Sequence, residues 1–337
     1  RFSSCFGFYL LMVLMFVSSL TMFMSGLVAN FEYDLKKIIA LSTLSQLGLM
    51  MSILAMGEEV LAFFHLLMHA LFKALLFMCA GSMIHGLNDC QDIRYMGSLI
   101  SFFPLTSCLF NICNMALCGL PFLSGFYSKD LILEVASAGY MNIYVYVVFY
   151  LSTGLTASYS LRLLYFTMLG DFNYFSFSKI NDFHFNMLKG MGGLVMVVIF
   201  GGSVISWIIF PTPYFICLPS MMKTAVLLVV FIGMLIGCMV SKLGYMNWFN
   251  KDFGYVSNFL GSMMYFNDLS TLGVSYYFLD FGDKLYGGFD QGWSEYLGSY
   301  NIFFLLKSSS GIVQKIFLAN LKIFLTLFLI WICFLLI

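Results

Sequence analysis

Residues 119–130 read GLPFLSGFYSKD, and long apolar stretches lie on both sides of them. Proline removes a backbone donor and kinks any helix it enters. Glycine lets the chain unwind at little steric cost. Inside a bilayer, non-helical backbone persists only where protein or water satisfies it. Gly119, Pro121 and Gly125 therefore mark the break of a discontinuous helix. Lys129 and Asp130 follow within about one turn, and Glu134 about one turn later. Broken membrane helices build ion sites near the midplane. The plainer alternative is a loop between two short spans, with Lys129 and Asp130 among the lipid headgroups.

Composition decides what surrounds that break. Hydrophobic residues make up 61% of the chain and charged residues 9%, with a mean hydropathy of +0.94. A soluble domain carries about 25% charge, so most of this surface faces lipid. The zero net charge argues against nucleic acid or an acidic substrate as the main partner. No secretory signal precedes the first span, and the start at Arg1 suggests a missing upstream part. A bilayer-spanning helix needs about 20 mainly apolar residues. That rule predicts an all-α, polytopic membrane protein with spans near 7–28, 37–56, 60–84, 103–138 (interrupted), 141–168, 190–210, 222–241 and 315–337. Asp34 is placed to cap the second helix, and Glu58 and Glu59 suit the positive end of the third. Residues 86–98 form a polar loop. Residues 242–312 mix charges with aromatics and read as a lateral, interfacial segment, with Gly287 and Gly288 weakening any unbroken helix there. The nine cysteines form no CxxC pair and read as small hydrophobes rather than a disulfide or metal framework.

The third span reads FFHLLMHALFKALLFMC over residues 63–79, which places His65, His69 and Lys73 at i, i+4 and i+8. They project on nearly one face and cover about 12 Å of helix axis. A charge at mid-bilayer costs at least about 2.5–3.5 kcal/mol, so this stripe needs a polar interior to face. Histidine exchanges protons near neutral pH, and such a row hands protons along with bridging waters. A histidine pair at this spacing also suits zinc, but HExxH requires a glutamate that is not there, and no third ligand is evident. Arg162 sits near the end of its span, where snorkelling accounts for it as well as function does.

The runs DLKKIIALSTLSQLGLMM (34–51), HLLMHALFKALLFMCAGSMIH (65–85), QDIRYMG (91–97) and GLPFLSGFYSKD (119–130) together resemble the antiporter-like subunits of respiratory complex I, relatives of Mrp-type sodium/proton antiporters. The resemblance implies inverted repeats of five helices, each with one broken helix and one half-channel. It implies proton translocation in a mitochondrial inner membrane, as part of NADH:ubiquinone oxidoreductase. By position His65, His69 and Lys73 match the central proton row, and Lys129 matches the terminal lysine on the outlet side. Asp130 and Glu134 stand as supporting carboxylates. The chain itself carries no catalytic redox residue, metal site or nucleotide turn, so flavin, iron–sulfur clusters and quinone are expected in other subunits.

On this reading residues 1–170 hold the second antiporter-like repeat and 171–241 add further spans. Residues 242–312 form the lateral segment, and 313–337 the anchoring span. The family's first repeat is not among these residues. One repeat alone would leave the stripe of His65, His69 and Lys73 facing lipid, so a separate chain or an upstream segment is expected to cover it. The other expected partners are neighbouring membrane-arm subunits, above all the adjacent antiporter-like one, and membrane lipid. Two competing functions are a subunit of a cation/proton antiporter, which sodium dependence would favour, and a structural remnant bracing the membrane arm.

Overall fold

The computed structural model describes residues 3–139, 143–175, 181–182, 185–212, 214–245 and 251–336, in two units, Arg1–Met264 and Tyr265–Ile337. In the first unit the helices are α1 (Phe8–Ala29), α2 (Leu35–Ala55), α3 (Glu59–Gly86), a short α4 (Leu99–Phe102), α5 (Pro104–Cys118), α6 (Leu131–Ala138), α7 (Ile143–Leu164), α8 (Phe185–Ile209), α9 (Ser220–Tyr245) and α10 (Lys251–Gly261). No strand forms among the described residues. Each of the eight expected segments holds helix where it is described, with interruptions at 119–123 and at Asn320. By length and hydropathy alone, five described helices can each cross a membrane: α1, α2, α3, α8 and Ser220–Lys242 of α9. The other three expected spans fall short because 103–138 is split by its break, α7 carries a row of serines and threonines with Arg162, and 315–337 is bent at Asn320, leaving the 16-residue helix Leu321–Leu336.

α3 is the centre of the bundle and packs on α2, α5 and α8. Phe64, Met68, Phe72 and Leu75 of α3 are fully buried with Phe110 and Cys113 of α5 and Tyr159 of α7. Glu58 occupies the N-cap of α3 without a capping hydrogen bond and Glu59 stands in its first turn, where the helix dipole favours acids. Asp34 occupies the N-cap of α2 but makes no capping hydrogen bond. Its carboxylate pairs instead with Lys37 at 2.9 Å, and the hydrogen bond from Lys37 holds it below the usual carboxylate range. The loop after α3 is pinned beneath this point by Leu35 N–H donating to the Gln91 carbonyl and Ile93 N–H to that of Tyr33, at 2.9 and 3.0 Å.

Arg162 does not snorkel. It is 3% exposed, and Nη1 donates to the Glu32 and Ala29 carbonyls at 2.6 and 3.5 Å. Its guanidinium also lies 5.0 Å from the Tyr33 ring centroid. The Ala29 carbonyl, an orphan at the end of α1, and the Glu32 carbonyl in the connection after it give a buried cation what lipid headgroups would otherwise supply.

α7 and α9 approach through small residues. A Cβ on Gly233 would lie 2.2 Å from the Gly154 carbonyl oxygen, and one on Gly237 would lie 2.4 Å from that of Ser158. Membrane helices without a hydrophobic drive to associate rely on such close backbone contact. Gly237→Ala should force the pair apart at a cost of about 1–3 kcal/mol. Thermal unfolding of the detergent-solubilised protein reads this as a lowered midpoint, and an unchanged midpoint would refute the close approach.

The second unit is almost continuous helix from Phe266 to Ala319, wound as π-helix at Leu269–Gly273, Tyr286–Ser294 and Tyr296–Tyr300. It extends about 80 Å at 1.5 Å per residue, and its side chains are exposed on nearly every face. Gly287 and Gly288 widen the winding without breaking the helix. After Leu318 the chain turns by 116° into the apolar helix Leu321–Leu336.

Candidate functional site

The break lies where the residues place it. Gly119 ends α5 in the left-handed region at φ 82°. Its N–H donates to the Ala116 carbonyl and that of Leu120 to Met115, at 3.1 and 3.2 Å, closing the helix as a glycine C-cap does. Pro121 and Phe122 form an exposed turn, with Phe122 at φ 69°. Gly125 does not unwind the chain: it is helical, at φ −65° and ψ −33°. It is needed for proximity, because a Cβ there would lie 1.8 Å from the Ala116 carbonyl oxygen. Helix resumes as a π-turn over Phe126–Asp130 and continues as α6. π-turns inside helices concentrate at functional sites, and this one buries three consecutive polar residues, Ser128, Lys129 and Asp130. Nothing in the sequence signals it.

Lys129 is 2% exposed. Its ammonium donates to Thr156 Oγ1 on α7 at 2.7 Å and to the Leu117 carbonyl at 3.5 Å. That carbonyl belongs to the last turn of α5, the end that carries negative partial charge, so the break itself builds half of the lysine's seat. The ammonium turns to these partners rather than to Asp130, whose Oδ1 is buried without a hydrogen-bond partner. Glu134, one turn on, is half-buried.

The stripe on α3 faces inward. His65, His69 and Lys73 are 1%, 8% and 4% exposed. This corrects the expectation that the stripe needs another repeat to shield it from lipid: α2, α5 and the resumed helix cover it within this chain. Lys73 Nζ donates to Ser42 Oγ on α2. His65 lies 3.2 Å from Gln46 Oε1 and 3.0 Å from Ser128 Oγ. An amide oxygen only accepts, which calls for a donor at Nε2, while Nδ1 faces the Ser128 hydroxyl, itself within reach of the Ser124 and Gly125 carbonyls. His69 stands between the two, its ring centroid 6.3 Å from that of His65. Its Nε2 is buried without a partner, a place suited to a bridging water.

Residue reading found the four ionisable groups but not what joins them. Ser128 bonds His65 and adjoins Lys129, so it links the central row to the break. On α2, Ser42, Ser45 and Gln46 are 2%, 1% and 2% exposed. They sit at i, i+3 and i+4 on the buried side of α2, and that spacing was a usable signal. Thr156 on α7 gave none. All nine cysteines are free thiols, with Cys79, Cys113 and Cys118 buried and Cys5, Cys108, Cys217 and Cys333 exposed.

Two family models tile this chain. One, "NADH:quinone oxidoreductase/Mrp antiporter, TM", matches residues 4–156. The other, "NADH dehydrogenase subunit 5 C-terminus", matches residues 159–337. The chain belongs to the NADH dehydrogenase subunit 5 family. Its relatives include NADH-ubiquinone oxidoreductase chain 5 of Locusta migratoria, 52% identical over 97% of this chain and 56% of that one. The same subunit of Anopheles gambiae is 53% identical over 94% and 55%. This member of the subunit 5 family thus spans a little over half the length of these relatives. Among solved structures, the Mrp complex from Dietzia sp. DQ12-45-1b shares the fold, with a TM-score of 0.52 and 19% identity over 67% of this chain and 49% of that one.

Proposed function

We propose that this chain conducts protons in the membrane arm of NADH:ubiquinone oxidoreductase in the mitochondrial inner membrane. One observation carries the reading. Two lysines are buried inside an apolar bundle with polar groups between them: Lys73 bonds Ser42, His69 lies beside His65, His65 bonds Ser128, and Lys129, next along the same turn, bonds Thr156. Burying a lysine is costly. An idle structural chain gains nothing from two, which weighs against a remnant that only braces the arm. The chain supplies the path, while flavin, iron–sulfur clusters and quinone belong to other subunits. Its partners are the neighbouring membrane-arm subunits, the adjacent antiporter-like one first, together with a first repeat and lipid.

Likeness to an Mrp complex keeps a cation/proton antiporter as the second reading, and sodium separates the two. In vesicles holding the assembled oxidoreductase with this subunit, NADH oxidation should drive proton movement at full rate in sodium-free medium. A requirement for sodium would favour the antiporter. His65→Ala should slow pumping by roughly ten-fold at most, less than loss of a whole proton carrier, because water entering the space bridges Gln46 and Ser128. Pumping as weak as in a lysine-free variant would overturn that ranking.

A further inference from the structure

Lys129 has its seat, but that seat shows no way out, and the groups beyond it suggest one. Asp130 is 7% exposed, and its Oδ1 is buried without a partner. Glu134 lies four residues on, on the same face of α6 and about 6 Å along the axis, within electrostatic reach of Asp130. Beyond it stands Tyr150 of α7, whose hydroxyl is also buried without a partner. Ser137, Tyr146 and Glu134 are the polar neighbours that act on that hydroxyl. The rings of Tyr146 and Tyr150 are 4.6 Å apart, and the Tyr146 hydroxyl reaches the outer face of the bundle, 3.6 Å from Met222 Sδ at the start of α9. Exposure rises along the series, from buried Lys129 and Asp130 to half-buried Glu134, Tyr150 and Tyr146.

We propose that Tyr150 and Tyr146 form the outer part of a proton outlet running from Asp130 and Glu134 to the surface between α7 and α9. The inference rests on the proton-conducting reading above. The Lys129 ammonium, held by Thr156 and the Leu117 carbonyl, gives a proton through water to the Asp130 carboxylate, which passes it through water to Glu134. Each phenol oxygen then accepts a proton from the inner side while releasing its own hydrogen outward. No phenolate or phenol cation accumulates, and the hydroxyls reset by rotation.

The test uses the assembled oxidoreductase in vesicles, comparing Tyr150→Phe, Tyr146→Phe and Lys129→Ala with the wild type. Phenylalanine keeps the ring stack and removes only the hydroxyl. Tyr150→Phe should lower pumping by about ten-fold and enlarge the solvent deuterium isotope effect on pumping, which a merely packing role would not change. Tyr146→Phe should act in the same direction and more weakly, because water reaches its position. Should Tyr150→Phe not assemble, Glu134→Gln serves in its place. Wild-type pumping and isotope effect in Tyr150→Phe, with pumping lost in Lys129→Ala, would overturn the outlet and leave the wider function standing. Wild-type pumping in Lys129→Ala would overturn both.

Discussion

Lys129→Ala lowers coupled proton pumping by about a hundred-fold or more, the scale set by loss of one positioned proton carrier, while the subunit still assembles. The bundle tolerates the truncation because the groups around the ammonium remain placed without it. Thr156 Oγ1 still donates to the Thr153 carbonyl at 2.7 Å. The Leu117 carbonyl stays at the break, where water replaces the ammonium. Lys129→Arg does not restore activity. A guanidinium holds its proton too tightly to cycle and needs a planar fork of acceptors, whereas the seat offers one hydroxyl and one carbonyl. The measurement is NADH-driven proton uptake in vesicles, normalised to assembled complex on native gels. Wild-type pumping by an assembled Lys129→Ala enzyme would remove this lysine from the path.

Lys73→Ala has a comparable effect, again about a hundred-fold, through a different part of the site. Lys73 is the cation of the α3 stripe and the end of the row farthest from the break. The truncation leaves Ser42 satisfied, because its hydroxyl donates to the Ile39 carbonyl at 2.6 Å. Alanine also keeps the helix, being the best helix former. Removing a buried charge relieves desolvation, so the variant assembles at least as well as the wild type. A potential-sensitive dye follows the pumping. If Lys73→Ala generates the full potential, the stripe is not on the path, and the route to Lys129 must enter at His65 or the break.

The legible half of this site was the costly half. A lysine in mid-span, two histidines spaced by whole helical turns, and Gly and Pro inside an apolar run are each expensive in a bilayer. Expense shows in composition and period, so these residues could be found in a single chain. The partners that make the site work are cheap ones. Ser42, Ser128 and Thr156 are ordinary residues in a membrane helix, where each also reaches a carbonyl of its own helix. Only contact with another helix gives them a role. The same holds for Arg162, for which end-of-span position predicted snorkelling. The carbonyls that hold it, of Ala29 at the end of α1 and of Glu32 just after it, lie more than a hundred residues away in the chain.

By itself the sequence determined the solvent, the helical class, the eight apolar segments, the break after Gly119 and the four ionisable groups, because burial cost and helical period are local. Tertiary structure alone decided that the α3 stripe is covered within this chain and that Gly125 serves close approach rather than unwinding. It also decided that a π-turn buries Lys129 and Asp130 together, and that Ser128 ties His65 to the break. Those outcomes depend on which backbone comes within about 3 Å of which side chain, and no periodicity along one chain encodes the distance between two helices.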